Sequence, residues 1–113
     1  MDNKIKKYEQ IILQYLTNYI QKRPFEGLEY QLITDNQHGH YQVILNSWDK
    51  DTFRHVTAFH LQINQETQKI WLWVNNTDIP IAEELTQQGV PPTDIVLGFH
   101  PSHLRQYTGF AVA

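Results

Sequence analysis

The densest cluster of polar side chains lies near the C-terminus, where His100, His103, Arg105 and Tyr107 fall within eight residues. Arginine can hold a phosphate through two parallel hydrogen bonds, and histidine can transfer a proton. Tyrosine can serve as a nucleophile. These residue types could therefore cleave a phosphodiester if a fold gathered them around one.

Tyrosine recombinases use the same residue types, but they bring two arginines to the scissile phosphate from distant parts of a much larger domain. Here the whole cluster is local, and 113 residues are too few to hold both DNA and a catalytic domain. We therefore interpret the cluster as a structural corner. Arg105 is expected to bind a carboxylate or backbone carbonyls, and Tyr107 to bury its ring while its hydroxyl finds a partner.

A second set of candidate ligands is the pair His38 and His40, which flank Gly39 in a predicted turn. Two imidazoles are too few for a zinc site, which uses at least three protein ligands. His55 and His60 lie five apart on one predicted strand, and an odd spacing places them on opposite faces. The sequence therefore predicts exposed turn histidines and no metal site.

Other catalytic patterns are missing from the sequence. Glu83 and Glu84 are neighbours on a predicted helix, so they cannot face each other as an acid–base pair. Ser47 and Ser102 lack the glycine setting of a nucleophile elbow, and there is no phosphate-binding loop and no cysteine. We expect a protein that is not an enzyme and carries no cofactor.

The overall charge argues against direct binding to duplex DNA. The formal net charge is −3, whereas DNA-binding domains usually neutralise phosphates with a basic face. Direct DNA binding stays open as an alternative, with a solvated helix face as the simpler interpretation of the N-terminal lysines. The residues that could serve it are Lys4, Lys6, Lys7, Lys22 and Arg23.

Length and composition predict one folded domain over residues 1–113, since a hydrophobic fraction of 41% suits a globular core. The N-terminus lacks the apolar segment of a signal peptide, and no apolar run approaches the roughly 20 residues of a membrane helix. Together with the absence of cysteine, this leads us to expect a cytoplasmic protein with no membrane partner.

The element that must organise this domain is a predicted amphipathic helix over about Asp2–Gln21, which Pro24 and Gly27 end. Its apolar residues recur at three- and four-residue steps and form one stripe, typical of a helix packed on a sheet. The stripe consists of Ile5, Tyr8, Ile12, Tyr15, Leu16, Tyr19 and Ile20.

The hydrophobic period then changes to two, which predicts four strands joined by short turns. Short connections imply antiparallel neighbours, so we expect a meander with the helix on one face. The strands are predicted over about Leu28–Leu32, Tyr41–Trp48, Phe53–Ile63 and Lys69–Val74. One face of the third strand is expected to carry Thr57, Phe59, Leu61 and Ile63, and one face of the fourth Ile70, Leu72 and Val74.

Trp71 and Trp73 fall on the other face of the fourth strand. Large apolar side chains are rarely left exposed as a patch, so the C-terminal part of the chain or a second subunit is expected to cover them. We therefore predict a homodimer or higher oligomer. The candidate partner-binding or structural residues are Trp71, Trp73, His100, Arg105 and Tyr107.

A second helix is predicted over about Ile79–Gln88, with Asp78 as its N-cap and Gly89 just past its end. A short apolar run at Ile95–Phe99 and a helical turn at Pro101–Tyr107 follow. The apolar end of the chain is expected to be tied down by packing. The fold class is therefore α+β in two layers, with the second helix and a short C-terminal strand or turn added to the meander.

The C-terminal third resembles the XisI family, the fdxN element excision controlling factors found chiefly in cyanobacteria. Upstream similarities are a tyrosine-rich first helix, Tyr41-Gln42, Trp48 and Ala82-Glu83-Glu84-Leu85. The resemblance covers nearly the whole chain, and its most specific part is the C-terminal motif. That motif comprises Gly89-Val90-Pro91, Asp94 to His100, Arg105-Gln106-Tyr107-Thr108 and Phe110 to Ala113.

The resemblance implies an XisI-like domain that acts beside a site-specific recombinase during differentiation of nitrogen-fixing heterocysts. It implies a controlling role in excision, with strand exchange done by another enzyme, and a partner of the XisH type that is similar to endonuclease-fold proteins. The resemblance assigns no catalytic residues to this chain. The leading hypothesis is a non-catalytic accessory factor that meets DNA only through a protein partner.

Two alternatives to that hypothesis stay open. One is an antitoxin-like protein that restrains a nuclease-like partner, and the other is a direct DNA-binding module. An enzyme built on His100, Arg105 and Tyr107 would require a deep pocket around those three side chains.

Overall fold

A computed structural model of the protein describes residues 3–23 and 26–113. Its first element is helix α1, Asn3–Gln21, as the hydrophobic stripe predicted. The predicted start at Asp2 and the predicted stop at Pro24 lie outside the described residues. The buried side chains of α1 are Tyr8, Ile12, Leu16 and Tyr19, which share one face of the helix.

The helix packs on a five-stranded sheet whose strands follow one another in chain order. The first four strands are antiparallel neighbours, which confirms the predicted meander. The fifth strand runs parallel to the fourth, because the second helix lies in the connection and returns the chain to the same end of the sheet. The strands are β1 Leu28–Asp35, β2 His40–Asp49, β3 Thr52–Ile63, β4 Ile70–Asn75 and β5 Ile95–Leu97.

Two bulges interrupt the regular alternation of side chains. Val43 pairs with Phe59 but Ile44 pairs with Thr57, so Ala58 is an extra residue in β3. Because directly paired residues share a face, Thr57 lies with Ile44 on the face away from α1. The prediction that Thr57 shares the face of Phe59, Leu61 and Ile63 is therefore wrong.

The second bulge lies in β4, where His60 pairs with Val74 but Leu61 pairs with Leu72. Trp73 is the extra residue, and Val74 lies on the face away from α1, beside His60. The prediction that Val74 shares a face with Ile70 and Leu72 is also wrong. Both corrections have one cause: an inserted residue reverses which side chains point inward beyond it.

Helix α1 and the inner face of the sheet enclose the core, in which full burial of one large apolar side chain contributes about 1.5–3 kcal/mol. Tyrosine hydroxyls join this helix to the rest of the fold. Tyr15 Oη donates to Glu84 Oε1 at 2.5 Å, and Tyr41 Oη donates to Glu9 Oε2 at 2.7 Å. The fully buried residues include Ile12, Leu16, Tyr41, Val43, Phe59, Leu61, Ile63, Ile70, Ile81, Leu85, Val90 and Ile95.

Helix α2 spans Ile81–Gln87, two residues shorter at its start than predicted. Asp78 is not its N-cap: the cap position is Pro80, with no side-chain hydrogen bond. The helix begins later than predicted because Thr77 Oγ1 accepts a hydrogen bond from the amide of Ile79. This bond holds the preceding chain in a turn. The predicted stop is confirmed, since Gly89 has φ +111° and the next amide returns to Leu85 O.

The C-terminal segment is tied to the sheet edge, as predicted. Ala111 pairs with Val96 in a parallel bridge, and its amide donates to Ile95 O at 2.8 Å. The predicted helical turn is the short 3-10 helix Ser102–Tyr107. The two-layer α+β architecture is thereby confirmed, and no described helix is long and apolar enough to cross a membrane.

Candidate protein-binding surface

The face of the sheet away from α1, called here the outer face, carries the predicted tryptophan pair. Trp71 and Trp73 stack with ring centroids 5.0 Å apart and an interplanar angle of 21°. The bulge at Trp73 makes this possible, since residues two apart on a regular strand stand further apart. Trp73 Nε1 donates to Gln62 Oε1 at 2.9 Å.

Gly98 lies directly against both indole rings. A Cβ atom built on Gly98 would stand 2.8 Å from Cε3 of Trp73 and 3.1 Å from Cε3 of Trp71. Glycine therefore lets the chain after β5 approach the tryptophans closely. The C-terminal part of the chain covers them in part, which is one of the two predicted alternatives, and Trp73 stays 37% exposed.

Arg105 holds this corner together through backbone carbonyls. Its Nε donates to His100 O at 3.1 Å and its Nη1 to Val112 O at 3.3 Å. The guanidinium also lies 5.0 Å from the ring centroid of Trp71, within cation–π range. Of the two partners expected for Arg105, a carboxylate or backbone carbonyls, its donors bind backbone carbonyls.

The other members of the predicted cluster do not converge on Arg105. His100 uses its backbone oxygen there, and its ring packs against Phe99 at 4.6 Å between centroids. His103 is exposed. Tyr107 is 78% exposed, so the prediction that its ring is buried is wrong. The cause is the 3-10 helix, which turns this side chain outward from the sheet.

Several apolar side chains of the C-terminal segment, together with Trp73, are exposed. We call the C-terminal surface the set formed by Trp73, Phe99, Leu104, Tyr107 and Val112, which are between 37% and 78% exposed. No aspartate or glutamate occurs from Ile95 to Ala113, although the whole chain carries a net charge of −3. The surface is therefore apolar and edged by the positive charge of Arg105, a composition that suits contact with another protein.

A second aromatic patch lies at the far end of the outer face, and sequence reasoning missed it. Trp48 and Phe53 are directly paired at the tip of the β2–β3 hairpin, with ring centroids 4.8 Å apart. They are 60% and 47% exposed. The signal that could have found them is the short turn between them, which places both aromatic rings on one face.

The histidines considered as candidate metal ligands have other partners. His38 Nδ1 lies 2.8 Å from Asp35 Oδ2, while His40 Nδ1 lies 3.1 Å from His60 Nε2. His55 pairs with Asn46 and His60 with Gln42, so the bulge at Ala58 places both histidines on the outer face. Their predicted placement on opposite faces is wrong. Over residues 3–23 and 26–113, no group of three histidines or carboxylates gathers.

The basic residues considered for direct DNA binding do not form one patch. Lys4 Nζ lies 3.0 Å from Asp94 Oδ2. Arg23 packs its guanidinium 3.7 Å from the ring centroid of Tyr19 and donates to Tyr19 O. Lys7 and Lys22 lie 15 residues apart on or beside α1, a rise of roughly 22 Å.

A polar cleft of about 500 Å³ lies between the end of α1 and α2. Lys22 and Arg23 line one side of it, while Glu83 and Glu84 line the other. Glu84 is engaged with Tyr15, as described above. The two glutamates therefore differ in environment and do not act as a facing pair, in line with their adjacent positions on the helix.

Comparisons with known proteins agree with the fold and with the C-terminal motif. The profile of the XisI protein family matches residues 1–112. The crystal structure of a XisI-like protein from Anabaena variabilis ATCC 29413 is 38% identical, with a TM-score of 0.87 over 96% of this chain and 99% of that one. The crystal structure of the fdxN element excision controlling factor XisI from the same organism is 30% identical. Its TM-score is 0.81, and the match covers 98% of this chain and 100% of that one.

No curated protein matches the sequence. The family assignment thus rests on the profile and on two solved structures that share the whole architecture at 30% and 38% identity. The chain belongs to the XisI family.

Proposed function

We propose that this protein is a non-catalytic controlling factor for the excision of a DNA element, and that it acts in the cytoplasm by binding another protein. Its similarity to the fdxN element excision controlling factor XisI supports the process. The observation that supports this mechanism is which side chains of the C-terminal cluster are engaged within the fold and which are exposed. Arg105 is engaged with backbone carbonyls, whereas Phe99 and Tyr107 beside it are 49% and 78% exposed.

Tyrosine, phenylalanine and arginine are all enriched in protein interfaces, and tyrosine and arginine are among the residues that contribute most to binding. The C-terminal surface offers these groups without any nearby carboxylate in its own segment. We therefore expect a partner whose surface is apolar at its centre and acidic at its rim. A protein of the XisH type is the first candidate, and the recombinase is the second.

The test is co-expression of this chain with the XisH-type protein of the same organism, followed by copurification and measurement of affinity. We expect a complex in the micromolar range or tighter. Tyr107→Ser and Phe99→Ser should weaken it, because both side chains are exposed and their loss leaves the fold intact. Ile33→Ser is the matched control, since Ile33 is 47% exposed on the opposite edge strand β1.

Absence of any complex with either candidate at micromolar concentration would contradict the proposal. Equal weakening by Ile33→Ser would contradict the assignment to the C-terminal surface. Toxicity of the partner expressed alone, relieved by this protein, would identify restraint of a nuclease-like partner in place of recruitment. A gel shift of duplex DNA at low salt by this protein alone would instead favour direct DNA binding.

Self-association stays a prediction as well. Trp73 retains 37% exposure after the C-terminal segment has packed against it, which leaves apolar surface for a second copy. Light scattering on the purified chain is the measurement, and a homodimer is the expected result.

A further inference from the structure

Two exposed aromatic patches lie at opposite ends of the outer face. We call Trp48 and Phe53 the hairpin patch, while the C-terminal surface includes Trp73 at the other end. Trp73 is the extra residue beside the pair of His60 and Val74, and His60 lies seven residues along β3 from Phe53. At about 3.3 Å per residue, the two patches therefore lie roughly 20 Å apart.

The strip of the outer face between the two patches carries no ionised side chain. It consists of two rows of directly paired residues, which are Gln31, Ile44 and Thr57, then Ile33, Gln42 and His60. None of these is an aspartate, glutamate, lysine or arginine. Burial, and then the charge of His40, lower the pKa of His60, which favours its neutral form. A partner that covered this strip would therefore bury no charge.

The two ends of the outer face carry opposite charges. Glu29 is exposed and lines the same cleft as the hairpin patch. The other charged residues of the hairpin tip cancel one another, and they are Asp49, Lys50, Asp51 and Arg54. At the other end, Arg105 lies over the tryptophan pair, and its own segment has no carboxylate side chain. The outer-face carboxylate Asp35 lies three strands away on β1 and accepts a hydrogen bond from the amide of His38.

Either patch alone is small for a stable interface. The aromatic residues of the two patches are between 37% and 78% exposed, and at about 150–250 Å² for each whole side chain they offer roughly 500 Å² in total. A standard interface buries about 800 Å² on each partner. Both patches and the strip between them are therefore needed together, so the partner must meet both ends of the outer face at once.

We propose that a second copy of the chain covers the outer face, with the hairpin patch of each copy packed on the C-terminal surface of the other. A two-fold axis between the two sheets makes this crossed contact twice, and it covers both patches of both copies. Glu29 of one copy then comes to the same end as Arg105 of the other. The alternative two-fold arrangement, in which each patch meets its own counterpart, brings like charges together and is disfavoured.

This inference rests on the C-terminal surface used in the proposed function and adds the hairpin patch to it. A second copy and a partner of the XisH type would therefore exclude each other at that surface. The homodimer is then a form in which the partner-binding residues are covered.

The test is the dimer dissociation constant of the purified chain alone, measured by analytical ultracentrifugation. We expect a dimer with a dissociation constant in the micromolar range. Trp48→Ser and Trp73→Ser should each weaken it at least about tenfold, because each change removes an aromatic anchor from both contacts. Val56→Ser is the matched control and should dimerise like the unchanged protein. Val56 is 37% exposed on the same hairpin, but it pairs with Leu45 and lies on the face of α1.

A mixture of Trp48→Ser and Trp73→Ser gives a readout that loss of the fold does not imitate. In the crossed arrangement, the mixed dimer keeps one contact between two unchanged patches, whereas each variant alone has a defect in both contacts. The mixture should therefore dimerise more tightly than either variant. No gain on mixing would overturn the proposal, and so would a monomer at millimolar concentration or equal dimerisation of Trp48→Ser and the unchanged protein.

Affinity for the XisH-type protein separates this inference from the proposed function. Trp48 lies outside the C-terminal surface, so Trp48→Ser should bind that protein at least as tightly as the unchanged chain does, because fewer binding surfaces are covered by a second copy. A chain that binds the XisH-type protein but never dimerises would overturn the inference alone. A chain that dimerises in the crossed arrangement but binds no partner would contradict the proposed function alone.

Discussion

The hydroxyl of Tyr8 on α1 donates a hydrogen bond to the carboxylate of Asp94, 86 residues further along the chain. Lys4 Nζ approaches the same oxygen at 3.0 Å. Asp94 thus joins the start of the helix to the turn before β5. The side chain of Asp94 is only 13% exposed, whereas that of Lys4 is 42% exposed, so water screens the ion pair from the lysine side.

Removal of the Asp94 carboxylate should therefore destabilise the protein. Asp94→Ala removes the acceptor of the Tyr8 hydroxyl and the carboxylate beside Lys4, and we expect a loss of about 2 kcal/mol in the free energy of unfolding at pH 7. Urea denaturation followed by circular dichroism measures it. Asp51→Ala, in an exposed turn, is the control and should change stability by less than about 0.5 kcal/mol.

Stability should also fall in acid through the same carboxylate. Burial of Asp94 opposes its ionisation, but the hydrogen bonds from Tyr8 and Lys4 outweigh burial, so the pKa lies below 3.8. The resulting stability is present above the unfolded pKa and is lost as the pH falls through the folded value. Denaturation midpoints between pH 5 and pH 2 should fall less steeply in Asp94→Asn than in the unchanged protein, and equal slopes would contradict the prediction.

Alkali should destabilise the fold through Tyr15, which is partly buried, and Tyr41, which is fully buried. Burial, and then hydrogen bonds to Glu84 and Glu9, raise the pKa of Tyr15 and Tyr41 well above 10.0. The stability from these neutral hydroxyls is complete below pH 10 and is lost above it, because the unfolded chain ionises first. Titration of tyrosine absorbance at 295 nm should show that some tyrosines ionise only when the protein unfolds. The number of these tyrosines should be one lower in Tyr15→Phe.

A methyl group at position 98 should disturb the tryptophan pair. The Cβ of Gly98→Ala would stand 2.8 Å from Trp73, and overpacking of this kind typically costs about 1–3 kcal/mol. Thermal unfolding and tryptophan fluorescence measure the effect. Trp73→Leu in the same chain should recover part of the loss, and strict additivity of the two changes would refute the steric explanation.

Replacement of Arg105 by lysine should loosen the C-terminal corner while the sheet persists. Lysine keeps the charge but cannot donate to His100 O and Val112 O from one planar group. Hydrogen exchange of the Ala111 amide, which donates to Ile95 O, should become faster by roughly tenfold, equivalent to about 1.4 kcal/mol. Arg54→Lys, at an exposed position of β3, should leave that amide protected.

Periodicity alone predicted most of the architecture. Three- and four-residue steps located α1, and alternation located β1 to β4 within a few residues, because a buried stripe requires the period of its element. The stop of α2 at Gly89 followed from the need for a residue that tolerates positive φ. The late start of α2 was missed, since it depends on the turn made by Thr77.

The candidate surface was predicted in part. Trp71, Trp73 and Arg105 do meet, and Arg105 serves the backbone as expected. The exposure of Tyr107 could not be read from the sequence, because it depends on where the 3-10 helix stands relative to the sheet.

The sequence by itself determined the elements, their order and the family to which the chain belongs. Tertiary structure decided which face each side chain occupies, since the bulges at Ala58 and Trp73 exist only in the pairing of neighbouring strands. His55 and His60 share the outer face for this reason. Alternation along one strand is a local property, whereas register between strands is set by the packing of the whole sheet on α1.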